Sequence, residues 1–133
     1  MQFNIARVPH MTFGAGQIGA VPEVAASLGG GPVLIVADAI LAELGITDRL
    51  TAGLTTAGIP SRLAAEVSGE PKEALVDDLS ARARESDARV VIGLGGGAAM
   101  DAAKLVAAIA PSGKPAEEFA LSARPLPTNT LPA

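Results

Sequence analysis

The clearest feature of the hydrophobic pattern is a continuous apolar run from Val33 to Ala37, which ends at Asp38. A run without alternation is typical of a strand in a parallel sheet that is covered on both faces. A second run rich in β-branched residues, within residues 89–94, predicts another buried strand, and the mixed pattern from Ser61 to Val67 predicts a third.

Segments with helical periodicity lie between these predicted strands. Apolar residues recur at helical spacing in residues 17–28, 40–57, 71–85 and 97–110, and residues 115–121 are expected to add one or two turns. This alternation of strands and helices predicts an α/β fold, a Rossmann-like parallel sheet with helices on both faces.

Local signals refine three of these helices. We expect a break near Gly45, with Thr47 or Asp48 capping the second piece. Pro71 is expected to open the helix that runs to about Glu85. The inward face of the helix over 17–28 is predicted to consist of Ile18, Val21, Val24, Ala25 and Leu28.

The two ends of the chain give weaker patterns. Residues 2–14 alternate loosely around Pro9, which predicts two short extended segments rather than one buried strand. Three prolines follow Arg124 in a short polar tail, where no stable element is expected. We therefore predict one domain over residues 1–123 and an irregular tail over residues 124–133.

Three consecutive glycines, Gly95 to Gly97, separate a predicted strand from a predicted helix. Strand, glycine turn and helix together present backbone N–H groups and the positive end of a helix dipole to an anion. Glycine leaves room for a phosphate to approach, and a tight turn without a ligand would need only one glycine. We therefore interpret this segment as a nucleotide-phosphate site.

A second glycine segment, Gly14 to Gly19, competes for the same role because it also satisfies G-x-G-x-x-G. Asp38 follows it at a suitable distance for the ribose-binding acid of a Rossmann fingerprint. However, the residues before Gly14 include Pro9 and polar side chains, which fit an edge or a loop better than a buried strand. This segment remains the alternative phosphate site.

Two aspartates are candidate cofactor contacts. Asp38 ends a predicted strand, where its carboxylate could accept both hydroxyls of an adenosine ribose and would repel a 2′-phosphate; it could also cap the following helix. Asp101 and Lys104 are three residues apart on a predicted helix, so they either form a simple ion pair or place Asp101 near the cofactor.

Composition excludes several classes of function. A net charge of -4 argues against a nucleic-acid partner. The chain has no cysteine and a single histidine, His10, so thiolate metal sites and cysteine nucleophiles are excluded. It shows neither a signal pattern nor an apolar run of membrane-spanning length, and we expect a cytoplasmic protein without a membrane partner.

Four features together resemble the N-terminal part of the iron-containing alcohol dehydrogenases: Phe13-Gly14-x-Gly16, the run Val33 to Asp38, Glu70-Pro71, and the segment Gly93 to Lys104. The last is similar to that family's G-x-G-G-G-S-x-x-D-x-A-K motif. The resemblance covers nearly all of this chain but only part of a family member. Ala98 stands where the family usually has serine, and Glu70 where asparagine is common.

The resemblance implies a dinucleotide-binding domain with NAD as cofactor, NADP being less favoured. It implies that Gly95, Gly96, Gly97 and Ala98 hold the pyrophosphate and that Asp38 lies near the adenosine ribose. Pro71 and Asp101 are the further cofactor-binding candidates. The loop of Gly14 and Gly16 is then mainly structural.

The resemblance further implies hydride transfer between NAD and an alcohol or aldehyde. The family's iron or zinc is held by one aspartate and three histidines in a later helical domain, which we expect to be missing from this chain because it has a single histidine, so the chain alone is expected to be inactive. The alternatives are a stand-alone nucleotide-binding module without catalysis, or a fragment of an enzyme like glycerol dehydrogenase or dehydroquinate synthase. An exposed apolar face is expected to favour a homo-oligomer, a dimer in the first instance.

Overall fold

A computed structural model describes residues 10–122 and 125–133 of the chain. Three parallel strands form one sheet in the order β2-β1-β3. Their bounds are β1 Val33–Asp38, β2 Ser61–Val67 and β3 Val90–Leu94. The longest apolar run is therefore the central strand, as expected of a strand that is buried on both sides.

The helices connect and cover these strands. They are α1 Val21–Ser27, α2 Ala39–Glu43, α3 Ile46–Thr56, α4 Glu73–Glu85 and α5 Gly97–Ile109, with short 3-10 helices at Gln17–Ala20, Ala110–Ser112 and Ala116–Ser122. The predicted α/β fold is confirmed, including the break at Gly45, which has a φ of 69° and precedes α3.

The side chains of β1 divide the core into two clusters. Val33, Ile35 and Ala37 pack with Leu50 and Leu54 of α3 on one face of the sheet. Leu34 and Val36 belong to the other cluster, which contains the buried residues of α4 and α5. Because side chains alternate along a strand, Asp38, two residues after Val36, is directed to the same face as Val36, which α5 covers. This alternation fixes the surroundings of the candidate site.

Two local predictions about helix starts are wrong. The expected cap of α3 is absent: Gly45 is the N-cap without a side-chain hydrogen bond, and Thr47 is buried. Pro71 does not open α4, because the N-cap is Lys72 and the helix begins one residue later.

The predicted inward face of α1 is also only partly correct. Ala25 is buried, but Val24 and Leu28 are 53% and 45% exposed. Both side chains line an open groove beside residues 90–93 of β3. Among the described residues β3 is an edge strand, and this part of the apolar surface of α1 stays open to solvent.

The predictions for the two ends of the chain can be compared with the structure to different extents. Two extended segments are predicted within residues 2–14. Residues 2–9 lie outside the described part of the chain, and residues 10–13 form no strand. Residues 125–133 contain no helix or strand, as expected. They are nevertheless attached to the fold, because Leu131 N–H donates to Ala107 O and Val91 N–H donates to Pro132 O, both at 2.9 Å. The domain boundary at residue 123 stays a prediction.

Candidate functional site

The candidate site lies where β3 passes into α5. Leu94 ends the strand, Gly95 and Gly96 form the turn, and Gly97 is the first residue of the helix. The first amides of an α-helix have no acceptor within the helix, and the helix dipole adds positive potential at the same end. This turn therefore offers an anion several N–H donors from one short stretch of backbone.

The glycines of this segment serve different purposes. A Cβ on Gly93 would lie 2.9 Å from Ala103 Cβ and 3.1 Å from Met100 Cα, so Gly93 allows α5 to pack closely on β3. A Cβ on Gly95 would overlap the carboxylate of Asp38, and the φ of Gly95 is +148°. These two glycines are thus required by the packing of the chain itself.

Gly96 and Gly97 are not explained by packing. A Cβ on Gly97 would meet no atom within 4 Å, and one on Gly96 would meet only Asp38 Oδ2 at 3.7 Å. The φ of Gly96 is −78°, which other residues adopt easily. The fold itself would accept a side chain at both positions, so their bare surface leaves open space for a group from outside the chain.

Asp38 reaches this turn from the neighbouring strand. Its Oδ2 accepts a hydrogen bond from the amide of Gly96 at 2.7 Å. The alternative role predicted for Asp38 is wrong, because it precedes α2 as the N-cap residue but makes no capping hydrogen bond with its side chain. The alternation of side chains along β1 directs the carboxylate to α5 rather than back to α2.

The other predicted site residues are less closely associated. Ala98 is partly buried and packs against the core cluster beneath α5, which leaves its backbone amide as its polar group. Asp101 is 67% exposed and pairs with Lys104 at 3.5 Å. Pro71 lines a groove with Val76 and Leu105, and none of the glycines belongs to that lining. The structure therefore joins Asp38 to the glycine turn, while the roles of Pro71 and Asp101 stay predictions.

The alternative glycine segment has a different geometry. Residues 10–13 before it form no strand, and Gly16 precedes a 3-10 helix of four residues. Ile18 and Val21 of this region pack against the apolar cluster that also contacts Leu94. This segment therefore leads the chain into α1 and packs against the core, but it does not combine the end of a strand with the start of a long helix.

The described residues, 10–122 and 125–133, contain no group of three or more His, Cys, Asp or Glu side chains that could hold a metal ion. They therefore do not fit the iron or zinc that the resemblance implies. Within that same part of the chain, no helix has the length and apolar character needed to cross a membrane.

Comparison with known proteins identifies the family. The family model described as iron-containing alcohol dehydrogenase matches residues 9–133. The chain belongs to this family. A long-chain-alcohol dehydrogenase 1 of Geobacillus thermodenitrificans (strain NG80-2) is 37% identical over 90 residues, which are 68% of this chain and 22% of that protein.

Solved structures of family members share the fold. Sulfoacetaldehyde reductase from Bifidobacterium kashiwanohense, in complex with NAD+, matches 99% of this chain with a TM-score of 0.86 and 23% identity. The NADH-dependent butanol dehydrogenase A of Thermotoga maritima matches 98% with a TM-score of 0.88 and 23% identity. The chain spans 35% and 33% of these two proteins, and 22% of the Geobacillus relative.

Proposed function

We propose that this chain is the cofactor-binding part of an NAD-dependent, metal-dependent alcohol dehydrogenase, and that Gly95–Ala98 bind the diphosphate of the dinucleotide. The observation that carries the proposal is the coincidence of the open surface over Gly96 and Gly97, which the packing of the chain does not require, with the start of α5 at the end of a strand. A diphosphate needs this combination of unobstructed amides and a helix N-terminus.

The backbone supplies the donors in this proposal. The amides of Gly97 and Ala98 lie in the first turn of α5, where they have no acceptor in the helix. Ala98 brings no hydroxyl, so its contribution to the diphosphate is the backbone N–H alone. Pro71 and Asp101 are further predicted contacts, with less support from the geometry.

Asp38 favours NAD over NADP. Its carboxylate lies beside the glycine turn, close to the place where the adenosine ribose of a bound dinucleotide would follow the diphosphate. A carboxylate accepts hydrogen bonds from ribose hydroxyls and repels a 2′-phosphate. The family relatives described with NAD+ and as NADH-dependent support the same choice.

In the complete enzyme, we propose that hydride passes between the nicotinamide and a small alcohol or aldehyde. A metal, when bound, polarises the alcohol oxygen. The described residues of this chain do not fit that metal, so their contribution is to bind and orient the cofactor. The chain alone is therefore expected to bind NADH without oxidising alcohols.

Titration of NADH and NADPH into the chain, followed by calorimetry or nucleotide fluorescence, tests the proposal. We expect saturable binding of NADH and weaker binding of NADPH, because the carboxylate of Asp38 opposes the additional phosphate. Circular dichroism of the same sample checks that the chain is folded. A folded chain that does not bind NADH into the millimolar range contradicts the proposal.

We also propose that the chain self-associates. Val24, Leu28 and the partly exposed residue Ile92 line an apolar groove along β3, which is an edge strand among the described residues. Burial of such a surface is favourable, by about 25 cal/mol per Å² of apolar area. Sedimentation velocity should show a concentration-dependent shift from monomer to dimer, and a Val24→Asp, Leu28→Asp variant should reduce it. A sharp monomer at high concentration contradicts self-association.

A further inference from the structure

One hydrogen bond in the site joins parts of the chain that are distant in sequence. The Gly96 amide and Asp38 Oδ2 are 58 residues apart in the chain and 2.7 Å apart in space. Strands β1 and β3 are neighbours, and Ala37 pairs with Leu94 in their register. Asp38 and Gly95 are therefore the first residues beyond this pairing, which places the carboxylate directly against the turn.

We propose that Asp38 is a positioning residue for the diphosphate site: by holding the amide of Gly96, its carboxylate fixes the turn so that the amides of Gly97 and Ala98 face the incoming anion. This inference rests on the proposed function. It assigns Asp38 a role that is separate from contact with the ribose, because it acts through the backbone of the turn before any ribose is bound.

The turn has few other restraints. Three successive glycines give the backbone unusual conformational freedom, and ordering them costs entropy. Gly96, the N-cap of α5, has no side chain of its own with which to cap the helix. The carboxylate of Asp38 thus supplies from a neighbouring strand what a capping side chain supplies in other helices, an acceptor at the positive end of the dipole.

The shape of the turn agrees with this role. The carboxylate occupies the space in which a Cβ on Gly95 would lie, so the bare Gly95 admits Asp38 and not the ligand. The hydrogen bond uses the amide of Gly96, which precedes the helix, and leaves the first amides of the helix for the anion. Positioning and binding are therefore assigned to different amides of the same segment.

Charge alone predicts the opposite effect of removing Asp38. Its carboxylate is a negative group next to an anion site, and Coulomb repulsion would make the site bind anions more weakly. If repulsion were its main effect, Asp38→Ala would bind inorganic pyrophosphate more tightly. If Asp38 positions the turn, the same substitution weakens binding, so the sign of the change separates the two.

The experiment compares wild type, Asp38→Ala, Asp38→Asn and an exposed control, Asp48→Ala. Calorimetry measures binding of inorganic pyrophosphate, which has no ribose, and NMR hydrogen exchange measures protection of the Gly96 amide without ligand. We expect Asp38→Ala to weaken pyrophosphate binding about tenfold, the size of one lost charge-assisted hydrogen bond, and to accelerate Gly96 exchange. Asp38→Asn keeps an acceptor oxygen and should restore most of both properties, and Asp48→Ala should match wild type.

The two proposals fail in different ways. If wild type binds NADH and pyrophosphate but Asp38→Ala binds pyrophosphate equally well or more tightly, the positioning role is wrong and the proposed function stands. Unchanged exchange of Gly96 in Asp38→Ala also overturns the positioning role. A folded wild-type chain that binds neither probe overturns both.

Discussion

Two glycine segments of this chain fulfil similar sequence patterns and yet differ in structure. Gly14–Gly19 follows residues that form no strand, and its last three residues lie in a 3-10 helix of four residues that precedes the seven-residue helix α1. Gly95–Gly97 follows a strand of the central sheet and leads into a helix of thirteen residues. The difference matters because a long helix carries a full terminal dipole, and a sheet strand holds the turn at a fixed place.

The comparison teaches that a glycine motif is informative only when the reason for each glycine is known. In the first segment, a Cβ on Gly16 or Gly19 would meet nothing within 4 Å. Open space alone is therefore not a site. In the second segment, open space at Gly97 coincides with unpaired helix amides and with an ordered turn, and this coincidence is what supports a phosphate site.

The largest expected effect is a loss of NADH affinity on substitution of Gly97, tested against a matched substitution in the other glycine segment. Gly97→Val places a branched side chain over the amides of the first turn, while nothing in the chain opposes it. We expect NADH affinity to fall by at least about a hundredfold, or ~2.8 kcal/mol, with little change in thermal stability. Calorimetric titration and a thermal melt measure the two quantities.

Gly19→Val is the matched control, because a Cβ there also meets nothing and its φ lies outside the left-handed region. It should bind NADH like wild type. The opposite pattern, with binding lost in Gly19→Val and kept in Gly97→Val, would place the diphosphate on the other segment.

A smaller effect, on stability rather than binding, is expected at Gly93. Gly93→Ala would bring a methyl group to 2.9 Å from Ala103 Cβ and 3.2 Å from Ala99 O. Since the backbone of α5 must move to relieve this contact, we expect a loss of about 2 kcal/mol in unfolding free energy, typical of overpacking. Urea denaturation measures the loss.

Gly19→Ala serves as the control for this prediction and should be neutral or slightly stabilising, because it restricts the unfolded chain without a clash. Equal stability of the two variants would show that the close packing of α5 on β3 is not required.

The sequence was sufficient to predict the elements whose patterns are local. The apolar run from Val33 to Ala37 predicts a central strand, because a strand that is covered on both faces of a parallel sheet has apolar residues at successive positions. The glycines after β3 predict a turn at the carboxyl end of the sheet, which the structure shows. The family resemblance rests on the same local segments and is confirmed by the family match over residues 9–133.

What the sequence could not predict depends on contacts between distant segments. The hydrogen bond from Gly96 to Asp38 depends on β1 and β3 being neighbours in register, which no local pattern encodes. The packing role of Gly93 likewise depends on how closely α5 approaches. Val24 and Leu28 have the correct periodicity for burial, but they are exposed in an open groove beside β3, because periodicity reports amphipathicity rather than the position of a partner.

The smallest expected effect concerns Asp101 of α5, which either forms a simple ion pair with Lys104 or contacts the cofactor. Its side chain is 67% exposed, and its pairing with Lys104 at 3.5 Å contributes at most a few tenths of a kcal/mol, since exposed helix pairs are well solvated. Asp101→Asn should change the unfolding free energy by less than about 0.5 kcal/mol and the NADH dissociation constant by less than about threefold.

Lys104→Met, which removes the other partner of the same ion pair, is the control and should have the same unfolding free energy as Asp101→Asn. An affinity loss in Asp101→Asn as large as that in Gly97→Val, with Lys104→Met unaffected, would place the Asp101 carboxylate on the cofactor itself and extend the site from the turn along the first two turns of α5.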